Sequence, residues 1–91
     1  MKVSRFEWDE NNIGHIARHD VEPGEAEEVF ANFPLYRKVK GNRLTACGQT
    51  DSGRYLFVVF ERKPGNLICV VTARDMNLSE RRYYRRMKGE R

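Results

Sequence analysis

The spacing of apolar residues switches partway along the chain from a helical to a strand repeat. In the first third, Ile13, Ile16 and Ala17 fall at i, i+3 and i+4, one stripe of a helix over 10–19. Asp9 stands where a side-chain oxygen would accept from the free amides of its first turn. Gly14 weakens this helix by about 1 kcal/mol relative to alanine. Pro23 and Gly24 open a second helix, with Glu25, Glu27 and Glu28 near its positive end. Its stripe runs through Ala26, Val29 and Phe30 to Phe33, and Asn32 with Pro34 ends it. Ahead of both helices, Val3 to Trp8 is rich in β-formers and predicts a strand.

After Pro34 the segments Leu35–Val39, Arg43–Thr50, Tyr55–Arg62 and Leu67–Arg74 read as strands. Gly41-Asn42, Asp51-Ser52-Gly53 and Pro64-Gly65-Asn66 separate them as turns, which implies an antiparallel meander. Alternation puts Leu56, Val58 and Phe60 on one side of the third of these strands and Tyr55, Phe57 and Val59 on the other. Both sides are apolar, so this strand is central. The same alternation places Ile68, Val70 and Thr72 on one side with Arg74. Asn77 or Ser79 then caps a helix over 79–88, with Tyr83, Tyr84 and Met87 as its apolar side. The order β-α-α-β-β-β-β-α predicts one small α+β domain across residues 1–91, an antiparallel sheet with helices on one face.

Composition narrows the function classes. At 40% hydrophobic and 33% charged, the chain is too apolar for a disordered polymer and too polar for a membrane protein. Its longest apolar run, Tyr55–Phe60, falls far short of the roughly 20 residues of a spanning helix. With 91 residues the core is small, which favours a shallow surface site over an enclosed one. Charge is unevenly distributed. Residues 1–33 carry three basic and eight acidic side chains, residues 34–73 seven and two, and residues 74–91 seven and three. The basic part suits a polyanion and the acidic start a basic partner. The opening MKVSRFEWDE has acids where a signal peptide needs an apolar stretch. Cys47 and Cys69 are isolated from one another, so a cytoplasmic, reducing setting is expected. A disulfide between them would require neighbouring strands in the right register.

His15 and His19 are four apart on one helix face, a spacing that can hold a metal or supply a general acid or base. The two cysteines are 22 residues apart, unlike the close pair of a structural zinc site, so no metal and no cofactor is expected. No nucleophile elbow, Walker loop or EF-hand spacing occurs. What remains is Arg74 at a strand end, followed by Glu80, Arg81, Arg82, Tyr83, Tyr84, Arg85 and Arg86 on the last helix. Arginine forks bind phosphate in a bidentate fashion, and tyrosines offer stacking faces for unpaired bases. Trp8 could add another such face. A carboxylate and a phenol four apart, Glu80 and Tyr84, could move protons at a ribose 2′-hydroxyl and a leaving 5′-oxygen while arginines stabilise the developing charge. Arg54, just before the central strand, is a further candidate. A non-catalytic RNA- or protein-binding module, and a structural subunit docking through its acidic start, are the alternatives.

The order and spacing of several short pieces give a more specific expectation. They are Phe6-Glu7-Trp8-Asp9, Ile16-Ala17-Arg18-His19 leading to Val21, Glu27-Glu28-Val29-Phe30, Gly48, Gly53-Arg54, Leu56-Phe57-Val58-Val59, Thr72-Ala73-Arg74, and Glu80-Arg81 with Tyr84. Together, across roughly residues 6–86, they resemble the BrnT family of type II toxin–antitoxin toxins, which have a RelE-like fold. The resemblance implies a metal-independent endoribonuclease that arrests translation and growth. It implies neutralisation by a ribbon-helix-helix antitoxin and operator DNA bound only through that antitoxin. Arg54, Arg74, Glu80, Arg81 and Tyr84 are the family-like positions for activity, with Trp8 and His19 at the edge of the set. The chain departs from the family pattern at His15, where many members carry Asn, and at Asp20, which replaces the usual Gly. It departs again at Asp75-Met76-Asn77, which replaces a more basic linker.

Overall fold

In the computed structural model, which describes residues 1–89, the turns expected from the sequence close the hairpins of one sheet. The elements are β1 (Arg5–Glu7), α1 (Glu10–Ala17), α2 (Pro23–Ala31), β2 (Leu35–Lys40), β3 (Arg43–Gln49), β4 (Tyr55–Lys63), β5 (Leu67–Asp75) and α3 (Leu78–Met87). The sheet runs β1-β5-β4-β3-β2, so β4 is central as the apolar alternation required. The β2 to β5 meander is antiparallel, but the short β1 lies parallel to β5. Cys47 on β3 and Cys69 on β5 are separated by β4, and both are free thiols.

The α+β class and element order match the expectation, with one difference in layering. Helices α1 and α2 cover one face, where Ile16, Val21 and Val29 pack on Ala46, Leu56, Val58, Phe60, Ile68, Val70 and Ala73. Each large apolar side chain buried there contributes about 1.5–3 kcal/mol. Helix α3 covers the opposite face, where Tyr84 and Met76 pack with Cys47, Leu35, Tyr55 and Phe57. Short chain length explains the arrangement, because α3 follows β5 after only Met76 and Asn77 and crosses the face not already filled.

Two local features could not be read from alternation. In β5, Val59 pairs with Thr72 but Phe60 pairs with Val70, so Val71 is an extra residue. This bulge resets the alternation. Ala73 joins Ile68 and Val70 in the α1–α2 core, and Arg74 turns to the α3 face beside its strand partner Phe57. The expectation that Arg74 shares a side with Ile68 and Val70 is therefore corrected. The second feature is Phe33, expected to extend the α2 stripe. It takes a left-handed φ of 52°, ends the helix before Pro34, and is 81% exposed.

The end of α1 is tied by Asp20 N–H donating to Ala17 O and Val21 N–H to Ile16 O, the paired bonds of a Schellman turn. Asp20 occupies its left-handed position at φ 57°. Glycine suits position 48 for another reason. A Cβ there would lie 3.1 Å from both Pro34 Cβ and Val29 Cγ1. The missing side chain lets the α2–β2 corner sit directly on β3.

Candidate nucleic-acid interface

Helix α3 begins with a reciprocal cap. Asn77 Oδ1 accepts from the Glu80 amide at 2.8 Å, and Glu80 Oε1 accepts from the Asn77 amide at 2.9 Å. Tyr84, one turn further on, is 3% exposed and meets Tyr55 edge-on with ring centroids 5.9 Å apart. It anchors the helix to the sheet. The shared face expected for Glu80 and Tyr84 exists, but it points inward, and Tyr84 is buried, edging a cleft with Asn32, Gln49, Thr50, Asp51 and Gly53.

Glu80 also fastens α3 to β5. Its carboxylate takes a two-pronged pair from Arg74, Nη1 to Oε1 at 2.8 Å and Nη2 to Oε2 at 2.9 Å. The Arg74 hydrogen bond holds the Glu80 carboxyl below its ordinary range, and the same bond raises Arg74, so both stay ionised. The guanidinium of Arg74 lies over the Phe57 ring, 4.4 Å from its centroid. Two further cations stack in the same manner. Arg81 lies 4.3 Å from the centroid of Tyr55, and Arg37 of β2 lies 5.1 Å from that of Tyr83, with Arg86 at 5.7 Å.

These groups border two clefts. One, of about 270 Å³, lies between α3 and the sheet and is lined by Arg37, Cys47, Phe57, Ser79, Glu80 and Tyr83. Burial pushes the Cys47 thiol up to about 11, so this wall is a neutral, inert thiol at physiological pH. The other, of about 350 Å³, is lined by Gly53, Arg54, Tyr55, Asp75, Met76 and Arg81. Arg82 and Arg85 lie on the exposed surface of α3.

Of the remaining candidates Arg54 borders the second cleft, and Trp8, His15 and His19 lie elsewhere. Arg54 is spanned by other groups of the protein. Nε and Nη2 donate to Asp75 at 2.8 and 3.2 Å, Nη1 to the Asp20 carbonyl at 2.6 Å and to Glu25 at 3.2 Å, and Nη2 to the His19 carbonyl at 3.0 Å. This clamp joins the α1–α2 corner to the ends of β4 and β5. Trp8 packs on the α1–α2 core and donates Nε1–H to Glu27 at 2.8 Å, on the sheet face away from α3. His15 and His19 are exposed at the end of α1. Among the described residues no group of three His, Cys, Asp or Glu side chains gathers to hold a metal ion. Arg37 was absent from the sequence-based set. Its only signal was alternation along β2, which places it two residues from Leu35 and on the same side.

No family model matches the chain, and no curated protein sequence is significantly similar to it. Among solved structures it is similar to the crystal structure of the Brucella abortus ribonuclease toxin BrnT, at 21% identity and a TM-score of 0.66. The alignment covers 80% of this chain and 96% of that one, and at this identity what the two share is a fold: a five-stranded sheet with three helices, of the BrnT toxin type.

Proposed function

We propose that the protein is the toxin of a type II toxin–antitoxin system and acts as a metal-independent endoribonuclease that inhibits translation and growth. One observation carries the reading: on a BrnT-type fold, Arg74, Arg81 and Arg37 stack on aromatic rings beside open clefts on one face. Arginine on an aromatic plane keeps its charge and presents its remaining donors to phosphate and base. Arg74 gives three bonds, two to Glu80 and one to the Asp75 carbonyl, which leaves donors for a scissile phosphate. In this mechanism Arg74 and Arg81 stabilise the extra negative charge as the 2′-hydroxyl attacks, with proton transfer to the leaving 5′-oxygen. Glu80 is the carboxylate of the set and positions Arg74. Tyr84 and Arg54 hold α3 and the strand ends in place.

Products would carry 2′,3′-cyclic phosphate ends and form in the presence of chelator. The partner is a ribbon-helix-helix antitoxin, and operator DNA is met through it. Inducing the protein alone should arrest growth, and co-expression of the adjacent gene should relieve the arrest. Arg74→Ala should abolish both arrest and cleavage; equal arrest by wild type and this variant would overturn the assignment.

A second reading, a non-catalytic RNA-binding module, is favoured by the state of Glu80. Its carboxylate already accepts three bonds, and Arg74 depresses its proton affinity, which makes it a poor general base. Salt-sensitive binding of RNA that stays intact on long incubation would select this reading.

A further inference from the structure

The cleft between α3 and the sheet combines features that phosphate binding does not need. It is about 270 Å³ and has aromatic as well as polar walls. Phe57 and Tyr83 line it; Arg74 lies over the Phe57 ring, and Arg37 and Arg86 both lie over that of Tyr83. Among the described residues Arg37 has no ion-pair partner, so its planar fork is available to the cleft it lines. Glu80 lines the same cleft. Its Oε1 accepts from both Arg74 and Asn77, whereas Oε2 accepts from Arg74 alone and keeps one acceptor position. Ser79 adds a hydroxyl at the wall.

We infer that this cleft is a base-reading pocket selective for guanine in single-stranded RNA, with Arg37 as the specificity-determining residue. The proposal rests on the RNA-binding part of the function proposed above and not on cleavage. Guanine presents two adjacent acceptors, O6 and N7, and arginine reads that pair with two parallel donors. Guanine also carries N1–H and N2–H donors, one of which meets the free position on Glu80 Oε2. Adenine offers N7 beside a donor amino group, which repels a guanidinium. Uracil has no adjacent acceptor pair. Tyr83 and the arginine planes over it give the base a flat wall, and the Cys47 thiol lines the same cleft.

The test uses non-cleavable 2′-O-methyl pentamers UUGUU, UUAUU and UUUUU, titrated by fluorescence anisotropy at fixed salt, with guanosine and adenosine 3′-monophosphates followed by NMR. Wild type should prefer UUGUU by about tenfold or more over the other two. Arg37→Ala, at an exposed position on edge strand β2, should bind all three about equally, so the readout is the loss of the UUGUU preference and not the overall affinity. Circular dichroism should show that variant folded. NMR shifts from the guanosine nucleotide should fall on Arg37, Ser79 and Tyr83. Equal affinities in wild type, or a guanine preference that survives Arg37→Ala, would overturn the proposal. Guanine-selective binding of these pentamers, with unmodified RNAs of the same sequences left intact on long incubation, would support this pocket and remove the nuclease reading. Cleavage of the unmodified RNAs indifferent to base identity, with no guanine preference in binding, would do the reverse. Failure to bind any of these RNAs would overturn both.

Discussion

Arg54 and Arg74 are both arginines beside strand ends on the exposed side of the fold, and their environments predict opposite consequences of mutation. Arg54→Ala removes a pair with Asp75, a pair with Glu25 and two charge-assisted bonds to the carbonyls of His19 and Asp20. These terms are unequal. The Asp75 side chain is 64% exposed, so that pair is a surface bridge worth less than about 1 kcal/mol. Glu25 is 24% exposed and the Arg54 side chain also 24%, so their bond is worth about 1 kcal/mol. The two carbonyls lie at an exposed corner and regain water on mutation, which limits their loss to about 1 kcal/mol together. The sum is about 2–3 kcal/mol, which in a domain of this size lowers Tm by roughly 10–20 °C. Because the clamp holds the α1–α2 corner and not α3, RNA binding below the lowered Tm should remain within about twofold of wild type. Thermal denaturation followed by circular dichroism, paired with binding at 15 °C, measures both. An Arg54→Ala protein with unchanged Tm and no RNA binding or cleavage would refute this reasoning and return Arg54 to the functional set.

Three further outcomes follow from local geometry. Asp20→Gly should raise Tm by roughly 2–8 °C, because glycine takes the left-handed φ of 57° without the Cβ penalty of about 0.5–1 kcal/mol; a lower Tm by calorimetry would count against the Schellman assignment. Gly48→Ala should cost about 1–3 kcal/mol in urea unfolding, since its Cβ meets Pro34 Cβ and Val29 Cγ1 at 3.1 Å. Acid should destabilise the protein partly through Glu80. Its folded carboxyl is depressed below the ordinary 4.5, so the stability it contributes is complete above that value and is lost as pH falls through the lower folded one. Glu80→Gln should therefore lower Tm at pH 7 and flatten the acid limb below pH 4.5, leaving the part owed to Asp75 and Glu7, which Arg54 and Lys63 depress likewise; an acid limb as steep as wild type would contradict the Arg74 linkage.

Turn chemistry and alternation carried the fold because each strand boundary is marked by Gly, Asn, Asp or Pro and because β4 is apolar on both sides. Alternation failed at Val71 because a bulge depends on how β5 pairs with β4, which is a tertiary property. It also failed at Phe33, where Pro34 and the approach to Gly48 set the helix end, and helical period does not. The α3 candidates were legible as a cluster because they are contiguous. Their division into inward and outward roles was not. Tyr83 and Tyr84 look alike in sequence, yet Tyr84 is buried against Tyr55 while Tyr83 is half-buried beneath Arg37 and Arg86. Arg37 lies apart in sequence from the basic last helix, and its alternation with Leu35 gave its side of β2 but not its approach to Tyr83.

The uneven charge of the chain has a structural meaning that the totals conceal. The acids of the first third are largely engaged within the fold. Glu25 binds Arg54, Glu27 takes the Trp8 indole N–H, and Glu28 accepts from the Asp51 amide at 3.0 Å. They knit the α1–α2 layer to the rest of the fold. On the α3 face, Arg37, Arg81 and Arg86 have aromatic rings as their close neighbours. An aromatic face orders a guanidinium without neutralising it, whereas a carboxylate would cancel its charge. Positive potential is thus retained on one side of the sheet while the flexibility of the cations that carry it is reduced. That combination lowers the ordering cost of meeting a polyanion.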